Sequence, residues 1–326
     1  MSALISLVMF VTAAEPGSPI VALAVTPDAR QVLTGSQAGI QILSLPELTS
    51  TGSLPTKLEH VHDLAFSPSG DLLAACGGSP GERGAVELWE WPAGKLNATL
   101  PAGDDVAYDA TWNAEGTQIA VAGADKAVRV FSIVLQNNGT RSVPATLRPH
   151  SAAVLAIAWL PADDLVLSAG ADQSIRVLKP ASGETVRSLD NHTAAVRDLA
   201  VRPTVGRDSV AESPPRSGGL PTVVASAGAD RTVRFWQPAI GRLVRFARLP
   251  VAPTAVCWTE NGGQALAACE DGHLRAIDYE TLSITDLADR LDGWAHSVAI
   301  LPGGKAALLA GERGQLRIVR LDAINP

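Results

Sequence analysis

The chain has 326 residues, 46% of them hydrophobic and only 18% charged, a composition that can bury a core and so excludes intrinsic disorder. The net charge of −7 leaves no basic footprint for nucleic acid. No apolar run reaches the roughly eighteen residues of a spanning helix, and the 3 cysteines (Cys76, Cys257 and Cys269) are odd in number and widely spaced. They match neither a disulfide framework nor a zinc site and read as small buried residues, with a Cys257–Cys269 bond inside one hairpin left open.

In chain order, the first segment is residues 1–14. Ala3 to Val11 is an almost unbroken apolar run, and Thr12-Ala13-Ala14 follows it. Such a run before small residues reads as a secretory signal, yet no Lys or Arg precedes it. Residues 15–326 then read as one domain built of repeats. An anchor recurs: a short apolar stretch ending in a large residue, often with Pro two positions later. The anchors are Val25, Phe66, Trp112, Trp159, Val201, Trp258 and Ile300, spaced by 41, 46, 47, 42, 57 and 42 residues. The long interval has a local cause in blade 5, where residues 204–221 hold 3 Pro, 3 Gly and 3 Ser and read as an inserted loop.

Each unit holds the same four segments. In the fourth unit they are Val154 to Leu160, Leu165 to Gly170, Ser174 to Leu178 and Thr185 to Leu189. All are short, rich in Val and Ile, and bounded by Gly, Asp and Pro, which is strand chemistry. Seven four-stranded units predict an all-β fold, a seven-bladed β-propeller of antiparallel blades. The seventh unit shows strands only near His296–Leu301, Ala306–Ala310 and Gln315–Leu321. Its fourth strand is missing from the C-terminal side, and Ser6–Thr12 lies at the distance from unit 1 where a closing outer strand would stand. The same segment is therefore either a cleaved signal or the last strand of blade 7. The balance leans slightly to export, to the periplasm or outside, over the cytoplasm.

Units 3 to 5 carry the stretches Gly123-Ala124-Asp125-Lys126-Ala127-Val128-Arg129-Val130-Phe131, Ser168-Ala169-Gly170-Ala171-Asp172-Gln173-Ser174-Ile175-Arg176-Val177-Leu178 and Ser226-Ala227-Gly228-Ala229-Asp230-Arg231-Thr232-Val233-Arg234-Phe235-Trp236. These resemble the central stretch of WD-repeat propeller proteins, here of a bacterial type with divergent repeats. The resemblance covers roughly residues 20–321. It implies a structural tetrad of His, Ser/Thr, Asp and Trp, complete once as His192, Ser226, Asp230 and Trp236. Unit 4 keeps His150, Ser168 and Asp172 with Leu178 in the Trp place, unit 3 keeps Asp125 with Phe131, unit 6 keeps Asp271, and units 1 and 2 keep Thr34 and Trp89. A carboxylate that orients a buried imidazole, which donates to a hydroxyl that meets an indole N–H, leaves no polar group unsatisfied inside a blade. A catalytic triad is the rival reading of His192, Asp230 and Ser226. The partial recurrence in the next blade argues against it.

The resemblance also implies a binding face read through the residue four before each anchor: Val21, His62, Tyr108, Leu155, Arg197, Thr254 and His296. A second ring stands before each turn Asp: Gln37, Ala124, Ala171, Ala229, Glu270 and Glu312. Tyr108, Leu155, Arg197, His62 and His296 are thus the candidate partner-binding residues. His60, His62, His273 and His296 lack a second ligand at metal spacing, and no nucleophile elbow, phosphate loop or Cys-x-x-Cys occurs. Neither a metal nor a cofactor is expected. The resulting expectation is a non-enzymatic, monomeric scaffold for protein partners. The rivals are a lactonase-like or quinoprotein-like enzyme with a central-channel site and an exported structural or cell-envelope protein.

Overall fold

A computed structural model describes residues 11–12, 17–134, 144–160, 164–203, 222–322 and 324. Seven four-stranded antiparallel sheets follow one another around a ring. From the inside outward, blade 1 is Ala22–Val25, Gln31–Ser36, Gly39–Ser44 and Ser50–Leu54. Blade 2 is His60–Phe66, Leu72–Ser79, Arg83–Glu90 and Lys95–Gly103. Blade 3 is Ala107–Trp112, Gln118–Gly123, Val128–Ser132 and Ala145–Leu147. Blade 4 is Val154–Leu160, Leu165–Gly170, Ile175–Lys179 and Glu184–Leu189. Blade 5 is Val196–Val201, Val224–Gly228, Thr232–Gln237 and Arg242–Arg248. Blade 6 is Pro253–Trp258, Gln264–Cys269, His273–Asp278 and Ile284–Arg290.

Blade 7 is Ala295–Ile300, Ala306–Gly311 and Gln315–Arg320, with Val11–Thr12 as its fourth strand, Val11 opposite Leu316 and Thr12 opposite Gln315. The remainder of the signal-or-strand segment, residues 1–10 and 13–14, lies outside the described residues, as does the inserted loop 204–221. Arg202 N–H donates to Val223 O at 2.8 Å, which holds together the two strands that this loop joins.

The second strand of every blade is buried on both faces, as in Ala74 to Cys76 or Leu308 to Ala310. Such a strand must read as a continuous apolar run, and these do. Apolar packing divides into seven clusters, one at each junction between adjacent blades. Leu88, Val121 and Phe131 join blades 2 and 3, while Leu167, Val224 and Trp236 join blades 4 and 5. The ring closes where Leu308 and Leu316 of blade 7 meet Ile20, Leu23 and Val32 of blade 1. All three cysteines are free thiols, Cys76 and Cys269 within these clusters and Cys257 beside one, so no Cys257–Cys269 bond forms.

Polar bridges reinforce the junctions near the channel. Asp63 accepts the N–H of Ala110 at 3.3 Å, Asp109 that of Ile157 at 2.7 Å, and Asp198 that of Val256 at 2.7 Å. Each carboxylate thus reaches the inner strand of the next blade. In return, Trp112 Nε1–H donates to Ala65 O at 3.1 Å and Trp258 Nε1–H to Ala200 O at 3.0 Å. Two of the anchor tryptophans are therefore ties to the preceding blade.

Burial raises the carboxyls of Asp63 and Asp109 and lifts Asp198 to about 7, against the hydrogen bonds from Val256 and Leu199. An acid whose folded value is raised contributes stability that is complete below its unfolded value, 3.8, and lost as pH rises through about 7. Asp198→Asn removes that titration while keeping an acceptor. The melting temperature of the variant, relative to wild type, is expected to climb between pH 5 and pH 8, corresponding to on the order of 2–3 kcal/mol. A difference that stays flat across this range contradicts the assignment.

Candidate functional site

In blade 5 the indole Nε1–H of Trp236 donates to Ser226 Oγ at 2.8 Å. Ser226 Oγ lies 2.7 Å from His192 Nε2, and His192 Nδ1 lies 2.9 Å from Asp230 Oδ2. Burial lowers His192 and outweighs the neighbouring carboxylate, so the ring is neutral at pH 7 and has one N–H. That proton sits on Nδ1 facing Asp230, and Nε2 accepts from the serine. The imidazole therefore accepts the hydroxyl proton rather than donating to the hydroxyl, because its single proton is held on Nδ1 by the acceptor-only Asp230 carboxylate. Blade 4 repeats the arrangement: His150 Nε2 is 2.8 Å from Ser168 Oγ, and its Nδ1 is 3.0 Å from Asp172. Asp172 and Asp230 also accept the N–H groups of Ser151 and Thr193 and the hydroxyls of Ser174 and Thr232. Burial pushes these carboxyls up, but the donors prevail and bring both to about 2. Each Asp thus pins the incoming loop to a hairpin turn. Gly170 permits this approach, since a Cβ there would meet His150 Nδ1 at 2.9 Å.

Blades 3 and 6 reach the same end with a guanidinium in place of the neutral imidazole. Arg129 grips Asp125 with both terminal nitrogens, one bond being 3.0 Å. Arg275 grips Asp271 at 2.9 and 2.7 Å. Both guanidiniums are buried, at 8% and 3% exposure, and take the place of the absent imidazole. Gly103 stands four residues before Ala107, where His150 and His192 stand before Val154 and Val196, and a Cβ on it would meet Arg129 Nη2 at 2.6 Å. The signal is an Arg four residues after each turn Asp, present in every stretch from Asp125 to Arg275.

Blade 2 has neither group. Glu87 occupies the Arg place and accepts Thr56 Oγ1–H at 2.7 Å and Lys57 N–H at 3.0 Å. A cavity of about 250 Å³ remains beside it, lined in part by Lys57, Arg83, Thr99 and Pro101. Trp89 Nε1 is buried with no acceptor, because Ala75 fills the place of Ser226.

The candidate binding residues share one local cause. The register of the two inner strands slips by one residue between Val61 and Asp63, Ala107 and Asp109, Val154 and Ala156, Val196 and Asp198, Pro253 and Ala255, and Ala295 and Ser297. The residue left over each time is His62, Tyr108, Leu155, Arg197, Thr254 or His296. A β-bulge re-aims its extra side chain out of the ladder. The adjoining turn residues are pinned beside it: Ala124, Ala171, Ala229, Glu270 and Glu312 donate their N–H groups to Val106, Ala153, Ala195, Ala252 and Trp294 at 2.8–3.1 Å.

On this face His62 meets Tyr108 edge-on, with ring centroids 5.2 Å apart. Arg197 is engaged with Glu270 at 2.7 Å, so it is a paired rather than a free cation. Leu155 stands half-buried between them in the ring. Thr254 donates to Ala295 O at 2.6 Å. Burial lowers His62 to about 4, with help from His60, and also lowers His296, so both rings are neutral at pH 7. Trp294, 44% exposed and 6.3 Å from His296, belongs to the same face and was not among the expected residues. Among the described residues no cluster of three or more His, Cys, Asp or Glu is placed to hold a metal ion, and no helix is long and apolar enough to cross a membrane.

Residues 50–90, 141–178 and 183–237 match the family described as "WD domain, G-beta repeat". The chain is 24% identical over 157 residues to nuclear distribution protein nudF 1 of Talaromyces marneffei, covering 48% of this chain and 32% of that protein. It is 30% identical over 157 residues to eukaryotic translation initiation factor 3 subunit I of Neurospora crassa, covering 48% and 41%. It is 22% identical over 301 residues to nuclear distribution protein PAC1 of Arthroderma benhamiae, covering 84% and 61%. The chain thus spans between about a third and three fifths of these relatives. All three are fungal, and nothing in these matches indicates the bacterial type or a signal.

Two variants test the interior networks. Asp230→Ala strands the N–H groups of His192 and Thr193 and is expected to cost about 1–3 kcal/mol in denaturant unfolding. An unchanged midpoint contradicts it. Ala75→Ser places a hydroxyl at the register position of Ser226 and is expected to raise stability by about 1 kcal/mol. A melting temperature that stays or falls shows that the Trp89 indole gains no partner.

Proposed function

Because the chain is a seven-bladed propeller with WD40 repeats, we propose that it is a non-enzymatic scaffold whose protein partners dock on the face around the channel mouth. One observation carries this reading: in six blades a bulge turns a side chain out of the ladder toward the same face. A residue released from pairing contributes little to the sheet and is available for contact. The set includes Tyr108 and Arg197, types enriched at interface hot spots.

A channel enzyme would need polar groups left free to converge on a ligand. Asp63, Asp109 and Asp198 stand near the channel, but each already accepts a backbone N–H of the neighbouring blade. The buried His–Asp–Ser sets serve the blades rather than chemistry: the His192 side chain has no exposed surface and that of Asp230 is 5% exposed. The pairing of Val11 and Thr12 with Leu316 and Gln315 supports the first residues acting as the closing strand of blade 7.

Tyr108→Ala and Arg197→Ala test the face. Both side chains are half-buried at bulges, so each change is expected to cost under about 1 kcal/mol of stability. Affinity capture from the source cells followed by mass spectrometry is expected to lose a common set of proteins with either variant. Capture identical to wild type with both variants overturns the assignment of the face.

A further inference from the structure

The repeat supplies an internal control for what this face requires. In each blade from 3 to 7 a loop residue accepts the N–H of the turn residue: Val106 with Ala124, Ala153 with Ala171, Ala195 with Ala229, Ala252 with Glu270, and Trp294 with Glu312. The hydrogen bond is the same throughout, at 2.8–3.1 Å, so the fold is satisfied by two small residues. Blade 7 alone of these five puts a tryptophan and a carboxylate there. Trp294 is 44% exposed and so supplies little to the core. Trp294 is the one aromatic among the five loop residues Val106, Ala153, Ala195, Ala252 and Trp294 that make this bond.

The surroundings say what would cover it. Glu312 lies against Gly293, the residue before Trp294: a Cβ on that glycine would collide with its Oε2. No cation pairs with Glu312 among the described residues. Asp292 lies two residues before the tryptophan and is exposed. His296, 6.3 Å from the indole, is feebly basic because burial disfavours its charged form, and it leaves the notch without an internal cation. Arg197, the other charge acting on His296, is held by Glu270. Arg313, next to Glu312 in the same turn, is exposed and makes no ion pair with it. An indole face attracts a cation, and an unpaired carboxylate beside it supplies the charge-assisted hydrogen bond.

We propose that Trp294 and Glu312 form a notch on the channel-mouth face that receives an arginine or lysine side chain of a basic segment in the protein partner. This rests on the scaffold reading and gives it a charge: the partner's docking segment is basic.

The test is calorimetric titration of the full chain at low salt with a short alternating Gly-Arg peptide and with its Gly-Glu counterpart. The Gly-Arg peptide is expected to bind saturably and the Gly-Glu peptide not to bind. Trp294→Ala and Glu312→Gln are each expected to weaken the first by about five- to tenfold, the span expected for a desolvated cation–π contact or one charged hydrogen bond. Trp294→Ala leaves every charge in place, so full affinity in that variant means diffuse attraction to an acidic protein and overturns the notch. Equal binding of both peptides, or binding of the acidic one alone, also overturns it. Capture lost with Tyr108→Ala and Arg197→Ala while the Gly-Arg peptide fails to bind removes the notch and leaves the scaffold standing. Capture untouched by those variants, with peptide binding lost in Trp294→Ala, keeps the notch and removes the wider face.

Discussion

A four-stranded antiparallel blade has two faces and cannot bury either by itself. Everything else in this molecule follows from that. Each blade here covers its neighbour, and the apolar side chains sort into one cluster per junction, including the junction of blade 7 with blade 1. Stability is then a chain of nearest-neighbour contacts that has been closed into a loop, the arrangement expected of repeat proteins. Closure matters because an open junction would leave Leu308 and Leu316 without Ile20 and Leu23.

The polar interior obeys a second rule: a turn carboxylate must be paired, and the fold accepts either a neutral imidazole or a guanidinium as its donor. Blades 4 and 5 use imidazole, reached from the loop, while blades 3 and 6 use guanidinium, reached from the third strand. The substitution is steric as well as electrostatic, since Gly103 clears the space that Arg129 enters. Apparent decay of the repeat is therefore partly replacement. Blade 2 is the true departure: its acid moves onto the third strand as Glu87, accepts two neutral donors, and leaves an indole N–H unpaired and a cavity beside it.

The architecture was legible in the sequence because its causes are local and periodic. Turn residues and apolar runs place the strands of blade 4 within one residue of Val154–Leu160, Leu165–Gly170, Ile175–Lys179 and Glu184–Leu189. The His, Ser and Asp of units 4 and 5 lie within hydrogen-bonding distance of one another. What stayed hidden depends on contacts across blades. Arg129 and Arg275 sit at strand positions that alternate outward in any isolated sheet, yet the neighbouring blade encloses them. Asp63, Asp109 and Asp198 look like exposed strand residues until the next blade's backbone is beside them. The pairing of Arg197 with Glu270, 73 residues apart, has no local signature at all.

The bulges reconcile rigidity with change. A propeller's inner strand is constrained on both sides, so most substitutions there disturb a junction. In six of the seven blades one residue escapes, because the slip in register removes it from the ladder while its neighbours stay paired. The positions so released differ widely in chemistry, from His62 and Tyr108 to Leu155, Arg197 and Thr254, whereas the second strands behind them are mostly small or aliphatic residues. Trp294 and Glu312 extend the same logic to the loop and turn beside a bulge: a backbone hydrogen bond fixes the site, and the side chains are left to vary. A face built this way can acquire a new partner without renegotiating the core, provided that the substituted residue makes its fold-giving contact through the main chain alone.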